Sequence, residues 1–355
     1  MSLSRRALLS AAALALPAPA FAAWPFGFGR RATPAPTDGR ANYAGPPLRQ
    51  QFGGWQFDQI RTAVSTRLQP VIRDGLEDRF FKDLAAATGI ETATAALAEP
   101  GGAVWTQTWT RTPGAPPPAR FAWGGLVQSY TATAILQMVE AGDLALDATI
   151  DRWAPDLPNA RWITVEDLLA ETSGLPDADL AAAAALSPAF APGAAWGASS
   201  ANHALLLQII ATTDQATWAE SLARRIATRR ELGETDFVGA GPGGVSASAL
   251  DVVRFWRDLL GDRLHGAETT QRRFYRLYPM GPDGEHHGLG VMASDLAAGP
   301  SASADTWLGY VSRSPVAPAM AAYSLATRAT VAVALTGEGS PETLAQGLLG
   351  LLRPA

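Results

Sequence analysis

The chain is expected to fold as an α/β domain of the α+β kind: an antiparallel sheet flanked by helices, with an all-helical subdomain inserted. Three features predict this. β-prone stretches stand toward both ends of the chain, at 90–98 and 103–110 and again at 320–325 and 330–336. Segments of helical periodicity fill the interval between them, and a last helix is expected over 341–352. Strands supplied by both ends, with helices between, suggest one sheet assembled from the two halves.

Each element has a local reason. A helical pattern over 58–87 is interrupted at Pro70, which removes a backbone donor. The first two strands are separated by Pro100-Gly101-Gly102, a hairpin signal. Residues 131–141 form a strongly apolar helix stopped by Gly142. Thr164 precedes a short helix as its N-cap, with Asp167 placed for a variant capping box. A turn at 172–176 and a helical alanine run at 181–185 follow, then helices over 201–211, 217–230 and 249–260. A glycine-rich loop at 239–244 precedes the last of these. No internal repeat is present.

The 355 residues are 47% hydrophobic, enough for one large domain or two closely joined ones. The formal charge is −5 and no basic stripe exists beyond the N-terminus, so no nucleic-acid partner is expected. No apolar run after the first two dozen residues is long enough to span a bilayer, so the protein is expected not to be membrane-spanning. Without cysteine there is neither a disulfide framework nor a thiol nucleophile. Lys82 is the only lysine among 28 basic residues.

Residues 1–22 read as a signal peptide: the cationic MSLSRR, an apolar 7–16, and Ala20-Phe21-Ala22 before the cut. Ser4-Arg5-Arg6-Ala7-Leu8-Leu9 resembles a twin-arginine export signal. Residues 23–54, rich in Pro, Gly and Arg, read as a flexible leader, and 55–352 as the domain. A periplasmic or secreted location is therefore expected.

Several stretches carry a family resemblance: TATAILQMVEAGDLALDATIDRWAPD, ITVEDLLAETSGLPD, Pro192-Gly193 before NHALLLQII, and GPGGVSASALDVVRFWRDLL, with HHGLGV and VAVALTG as weaker matches. In this order they resemble the serine β-lactamase and penicillin-binding-protein superfamily, in its class C, D,D-carboxypeptidase and family VIII esterase branch. The resemblance covers roughly 58–352 and implies the β-lactamase/transpeptidase-like fold, with the helical subdomain at about 124–235. It also implies acyl transfer by a serine, with a lysine one helical turn later holding its proton. A Tyr-x-Asn motif shares the proton work, and a Lys-Thr-Gly or His-x-Gly strand anchors substrate beside the oxyanion hole.

Carried over by position, these groups are absent. Gly125 stands at the serine and Gln128 at the lysine; Ala198, Ser199 and Ser200 replace Tyr-Ser-Asn; Trp307 takes the basic position of the third motif. The first loss is independent of alignment, because Arg79 is the residue three before the only lysine and no Ser-x-x-Lys exists in the chain. Glycine has no attacking atom, and a neutral amide is no base near pH 7. Such a loss lowers turnover by about a millionfold in a serine hydrolase.

Other residues were weighed as replacements. Ser129 is four residues after Gly125, yet lacks a lysine or histidine nearby in sequence, and local satisfaction of its hydroxyl is the simpler role. Gly197-Ala198-Ser199-Ser200-Ala201 approaches a nucleophile elbow but lacks the final glycine, and capping the helix that follows is the simpler role. Glu285-His286-His287 lacks the spacing of a metal site, so exposed loop histidines are expected and no metal or cofactor. Trp123 and Trp196 are expected to pack in the core, and Trp307 to fill the cleft or line it with a flat face.

The sequence thus predicts an exported, non-catalytic relative of these enzymes, binding a cell-wall peptide or other small ligand in a vestigial cleft, or a protein partner. The alternative is an active serine hydrolase, a β-lactamase, D,D-carboxypeptidase or esterase, whose nucleophile has moved to Ser129 or Ser199.

Overall fold

The computed structural model describes the backbone at 49–50 and residues 68–238, 244–280, 284–295 and 305–352. The expected signal peptide, the leader up to residue 48 and most of the glycine-rich loop lie outside the described residues. Chain order is β1 (Arg49–Gln50), α1 (Pro70–Ala86), β2 (Ile90–Ala98), β3 (Val104–Thr110), β4 (Phe121–Ala122), a 3-10 turn (Gly124–Leu126) and α2 (Val127–Ala141). Then come α3 (Val165–Ala170), α4 (Leu180–Ala185), α5 (Ser200–Asp214) and α6 (Trp218–Leu222), which runs into a π-helical turn (Ala223–Thr228). The chain continues through β5 (Thr235–Phe237), β6 (Val245–Ala247), α7 (Ala249–Leu260), α8 (Ala267–Arg272), β7 (Arg276–Pro279), β8 (Glu285–His287) and β9 (Met292–Asp295). It closes with β10 (Thr306–Ser314), β11 (Ala317–Ser324), β12 (Thr330–Gly337) and α9 (Pro341–Gly350).

Among the described residues the main sheet runs β1-β7-β8-β9-β10-β11-β12-β2-β3, every neighbour antiparallel, so the two ends of the chain do share one layer. β12 beside β2 is the seam. A small sheet, β4-β6-β5, stands apart from it in pairing. β1 departs from expectation: two residues of the predicted flexible leader pair with β7 as an edge strand.

Alternation along the strands divides the core into two layers. Ala93, Ala95 and Leu97 of β2 and Val331, Val333 and Leu335 of β12 face Leu76, Phe80 and Leu84 of α1 and Leu344, Leu348 and Leu349 of α9. Ala96, Ala98, Ala332 and Ala334 face the other way, toward α2, α5 and α7. Each fully buried Leu or Phe contributes about 1.5–3 kcal/mol. Pro70 stands at the start of α1, where its nitrogen needs no partner; the 58–67 part of the expected helical stretch lies outside the described residues. The Thr164–Asp167 capping box forms, with Thr164 N to Asp167 Oδ2 at 2.9 Å and Asp167 N to Thr164 Oγ1 at 3.1 Å.

α2 is the central helix, buried from Val127 through Met138 except at Gln128, and it ends on the left-handed Gly142. Its first turns are held by the backbone ahead of β9. Gly290 (φ 63°) packs against Ala132 and Gln128, and a Cβ there would collide with the Ala132 Cβ and stand 2.9 Å from the Gln128 carbonyl oxygen. Gly290→Ala is therefore expected to lower stability by about 2 kcal/mol or more, read from urea unfolding. Unchanged stability would mean that this contact gives way freely.

Candidate functional site

The 3-10 turn and the start of α2 reach the sheet at β10 and β11. Gly124 (φ 50°) permits the approach, since a Cβ there would collide with Ser312 Oγ and lie 2.7 Å from the Ala317 carbonyl oxygen. Gly125 is buried in the same turn. Gln128, one turn on, is half-buried, and its Oε1 accepts a 2.6 Å hydrogen bond from the Tyr310 hydroxyl. The expected lysine position thus holds an amide whose oxygen is engaged by a phenol from β10.

Trp307 does not reach this cleft. It lies on the opposite face of β10, in the α1–α9 layer, with its indole nitrogen donating to Asp305 Oδ2 at 3.0 Å. Residues separated by an odd number along a strand face opposite sides, and Tyr310 is the one turned toward α2. The expectation that Trp307 fills or lines the cleft is corrected accordingly; Tyr310 takes that place.

The hydroxyls considered as replacements are engaged elsewhere. Ser129 is fully buried and donates to the Gly290 carbonyl at 2.8 Å. Ser199 is buried and donates to the Pro176 carbonyl at 2.8 Å, while Ser200 binds Asp177 Oδ1 through its hydroxyl (2.7 Å) and its amide (2.9 Å). Ser199 occupies the N-cap position of α5 without a side-chain capping bond, contrary to the capping role expected there. Trp123 is core, its indole nitrogen bonded to the Ala247 carbonyl at 3.0 Å. Trp196 is half-buried, packed against the core at the cleft.

A buried polar cluster completes the site. Glu171 caps α3 in the left-handed region (φ 58°), uncommon outside glycine. Its Oε2 accepts from Ser199 N at 3.0 Å and from Asn202 Nδ2 at 2.5 Å, and its carbonyl accepts from Gly197 N at 2.9 Å. The 197–202 segment is thereby fastened to one acidic residue. Ser173 Oγ donates to Asn202 Oδ1 at 2.6 Å. Burial pushes the Glu171 carboxyl up to about 8, against the hydrogen bonds from Asn202 and Ser199, with Asp177 adding to the rise. Burial and the charge of Glu171 together hold the Tyr310 phenol well above its ordinary value, so it stays a donor to Gln128.

The histidines are not exposed loop residues. His265 is buried, its Nε2 taking the guanidinium of the fully buried Arg273, which also bonds Thr133 Oγ1 and the Leu289 carbonyl. His287 is 1% exposed and sits between Trp196 (ring centroids 6.2 Å) and Tyr310 (5.9 Å). The backbone of Ala170 and of Gly288 lies beside its ring, while the Trp196 indole nitrogen meets no partner in hydrogen-bonding geometry. Burial holds His287 and His203 down to about 4, so both are neutral at pH 7. His286, in contrast, is half-buried in β8. No group of side chains among the described residues could hold a metal ion.

Sequence reasoning missed Glu171 and Tyr310, and expected His287 in an exposed loop where the structure buries it. The available signal was a lone acid inside the apolar LLAETSGLP, but periodicity says nothing about whether such an acid points inward.

The β-lactamase family profile matches residues 78–351. Among solved structures, a D-amino acid amidase from Ochrobactrum anthropi SV3 complexed with D-phenylalanine is similar, at 17% identity and a TM-score of 0.71, covering 80% of this chain and 100% of that one. A D-stereospecific amidohydrolase from a Streptomyces species is similar at 20% identity and 0.66, covering 77% and 97%. A β-lactamase/D-alanine carboxypeptidase from Pseudomonas syringae is similar at 16% identity and 0.67, covering 80% and 100%. No curated protein matches the sequence.

A carboxyl raised from 4.5 to about 8 contributes stability that is complete below pH 4.5 and is lost as the pH rises toward 8. Glu171→Gln removes that titration. Its stability relative to the unaltered chain is expected to climb from pH 4.5 to 8 and then level off, gaining on the order of 3 kcal/mol at neutral pH. Urea unfolding across that range measures it. A flat difference would mean that Glu171 is ionised at no net cost.

Proposed function

Because the chain belongs to the β-lactamase family, we propose that it is a member without acyl-transfer chemistry, which uses the remodelled cleft to bind a cell-wall-related small ligand or a protein partner. One observation carries this reading: Gly125 offers no attacking atom, and the amide of Gln128 one turn later is bonded to Tyr310 where a proton-accepting amine would be needed. An amide accepting from a phenol cannot take a proton from a nucleophile near pH 7. The relatives are named for hydrolysis of D-amino acid amides and for D-alanine carboxypeptidase and β-lactamase activity. Binding of small amides or peptides of that chemistry without turnover is the corresponding reading for this chain.

The alternative, a hydrolase with a displaced nucleophile, would need Ser129 or Ser199 to leave its carbonyl partner and find a base. Ser129 is walled in by Gly290, and the group bonded to the Ser199 amide is Glu171, which holds its proton at pH 7. A fluorescent penicillin and an activated fluorophosphonate are both expected to leave the purified protein unlabelled, with intact mass unchanged. A stoichiometric acyl or phosphonyl adduct, lost in Ser129→Ala or Ser199→Ala, would establish the hydrolase instead.

The proposal includes export. The cationic start, the apolar 7–16 and the small residues before position 23 support a cleaved signal. No helix among the described residues is long and apolar enough to cross a membrane. N-terminal sequencing of the exported protein is expected to begin at Ala23; an intact Met1 in the cytoplasmic fraction would refute it.

A further inference from the structure

The two edges of the main sheet are unlike. Among the described residues one edge ends in β1, a strand of two residues, and the other in β3, which is seven residues long and has β2 on one side only. Edge strands of soluble proteins are ordinarily kept from further pairing by charge, proline or brevity. The β3 sequence VWTQTWT holds no charged residue and no proline, and its threonines and tryptophans favour extended backbone. From Thr106 to Thr110 the strand is exposed or half-buried.

The register fixes which backbone groups are left over. Glu99 N donates to the Ala103 carbonyl and Arg111 N to the Glu91 carbonyl, so the odd-numbered residues of β3 exchange their bonds with β2. The N–H and C=O groups of Val104, Thr106, Thr108 and Thr110 therefore point away from the sheet. A second β3 laid antiparallel about a two-fold axis at Gln107 matches this row in full. Thr106 meets Thr108 of the second copy and Val104 meets Thr110, each as a bonded pair. Trp105 meets Trp109 and Gln107 meets itself, as the closer non-bonded pairs whose side chains touch. The charges beyond the strand agree with this direction. Arg111 falls opposite Ala103 of the second copy, whose β2 neighbour is Glu99, about 10 Å away across two strand spacings. No like charges are set face to face.

We propose that β3 is the interface of a homodimer, in which two copies of this chain join their main sheets edge to edge. β3 lies at the end of the sheet remote from β8–β10, so the pairing does not depend on the cleft or on the reading proposed for it.

Sedimentation velocity of the full chain at about 0.2 mM is expected to show twice the mass of one chain, a high concentration being needed because interfaces under about 1,200 Å² hold weakly. Thr108→Pro removes an outward N–H and leaves the β2 ladder intact, and should weaken the dimer at least about tenfold. The chain has no cysteine, so single cysteine substitutions report the register directly. Gln107→Cys places two thiols at the axis with Cα atoms about 4.5 Å apart, within disulfide reach, and should cross-link almost completely on mild oxidation. Thr110→Cys places them about 20 Å apart and should cross-link at least about tenfold more slowly. A single-chain mass at that concentration, equal cross-linking by the two cysteine variants, or an unchanged dimer in a folded Thr108→Pro variant would each overturn the proposal. Should Thr108→Pro not fold, the cysteine pair decides by itself.

Discussion

The hydrogen bond from Tyr310 to Gln128 joins the two halves of the molecule at the place where the family's chemistry would occur. β10 belongs to the C-terminal half of the sheet, and α2 is the buried helix that enters from the N-terminal half. Their contact depends on Gly124, which lets the turn before α2 press on β10 and β11, and on Gly290, which seats the first turns of α2 from the other side. With backbone held so closely on both flanks, small changes of side chain decide what the cleft can do. A phenol and an amide settle into a neutral pair. The resemblance implies a serine at 125 and a lysine at 128 for a nucleophile and its base, and the chain has glycine and glutamine there.

Behind that pair the protein keeps groups that burial disfavours. Glu171 carries a carboxyl in a low-dielectric setting, with a backbone conformation that non-glycine residues adopt infrequently. His287 lies unionised among aromatic rings, because burial outweighs the backbone of Ala170 and Gly288 beside it. Each works against stability at neutral pH or at acid pH respectively. An apolar side chain of the same size would remove the penalty. Glu171 also fastens the segment before α5, so the shape of the cleft and its charge depend on the same residue.

Arg273 is buried polarity kept for structure. Arg273 is as deeply buried, yet its guanidinium meets His265, Thr133 and the Leu289 carbonyl. It braces the backbone that leads to Gly290 and leaves little donor capacity for anything else.

Much of the fold was legible in the sequence. The hairpin of β2 and β3, the final strand pair, the capping box of α3 and the apolar length of α2 all follow from local propensity and period. That glycine stands at 125 and that no Ser-x-x-Lys occurs are likewise facts of composition and order. The short strands β4 to β9 were not legible; two to four residues carry too little pattern to be told from loop. Which face of β10 meets the cleft was not legible either. Trp307 and Tyr310 are both aromatic and three residues apart, and a shift of register exchanges them. Only the packed sheet decided that Tyr310 faces α2 and that Glu171 turns inward. Contacts between residues far apart in sequence set a side chain's direction and its dielectric surroundings, whereas the loss of an attacking atom belongs to one residue alone.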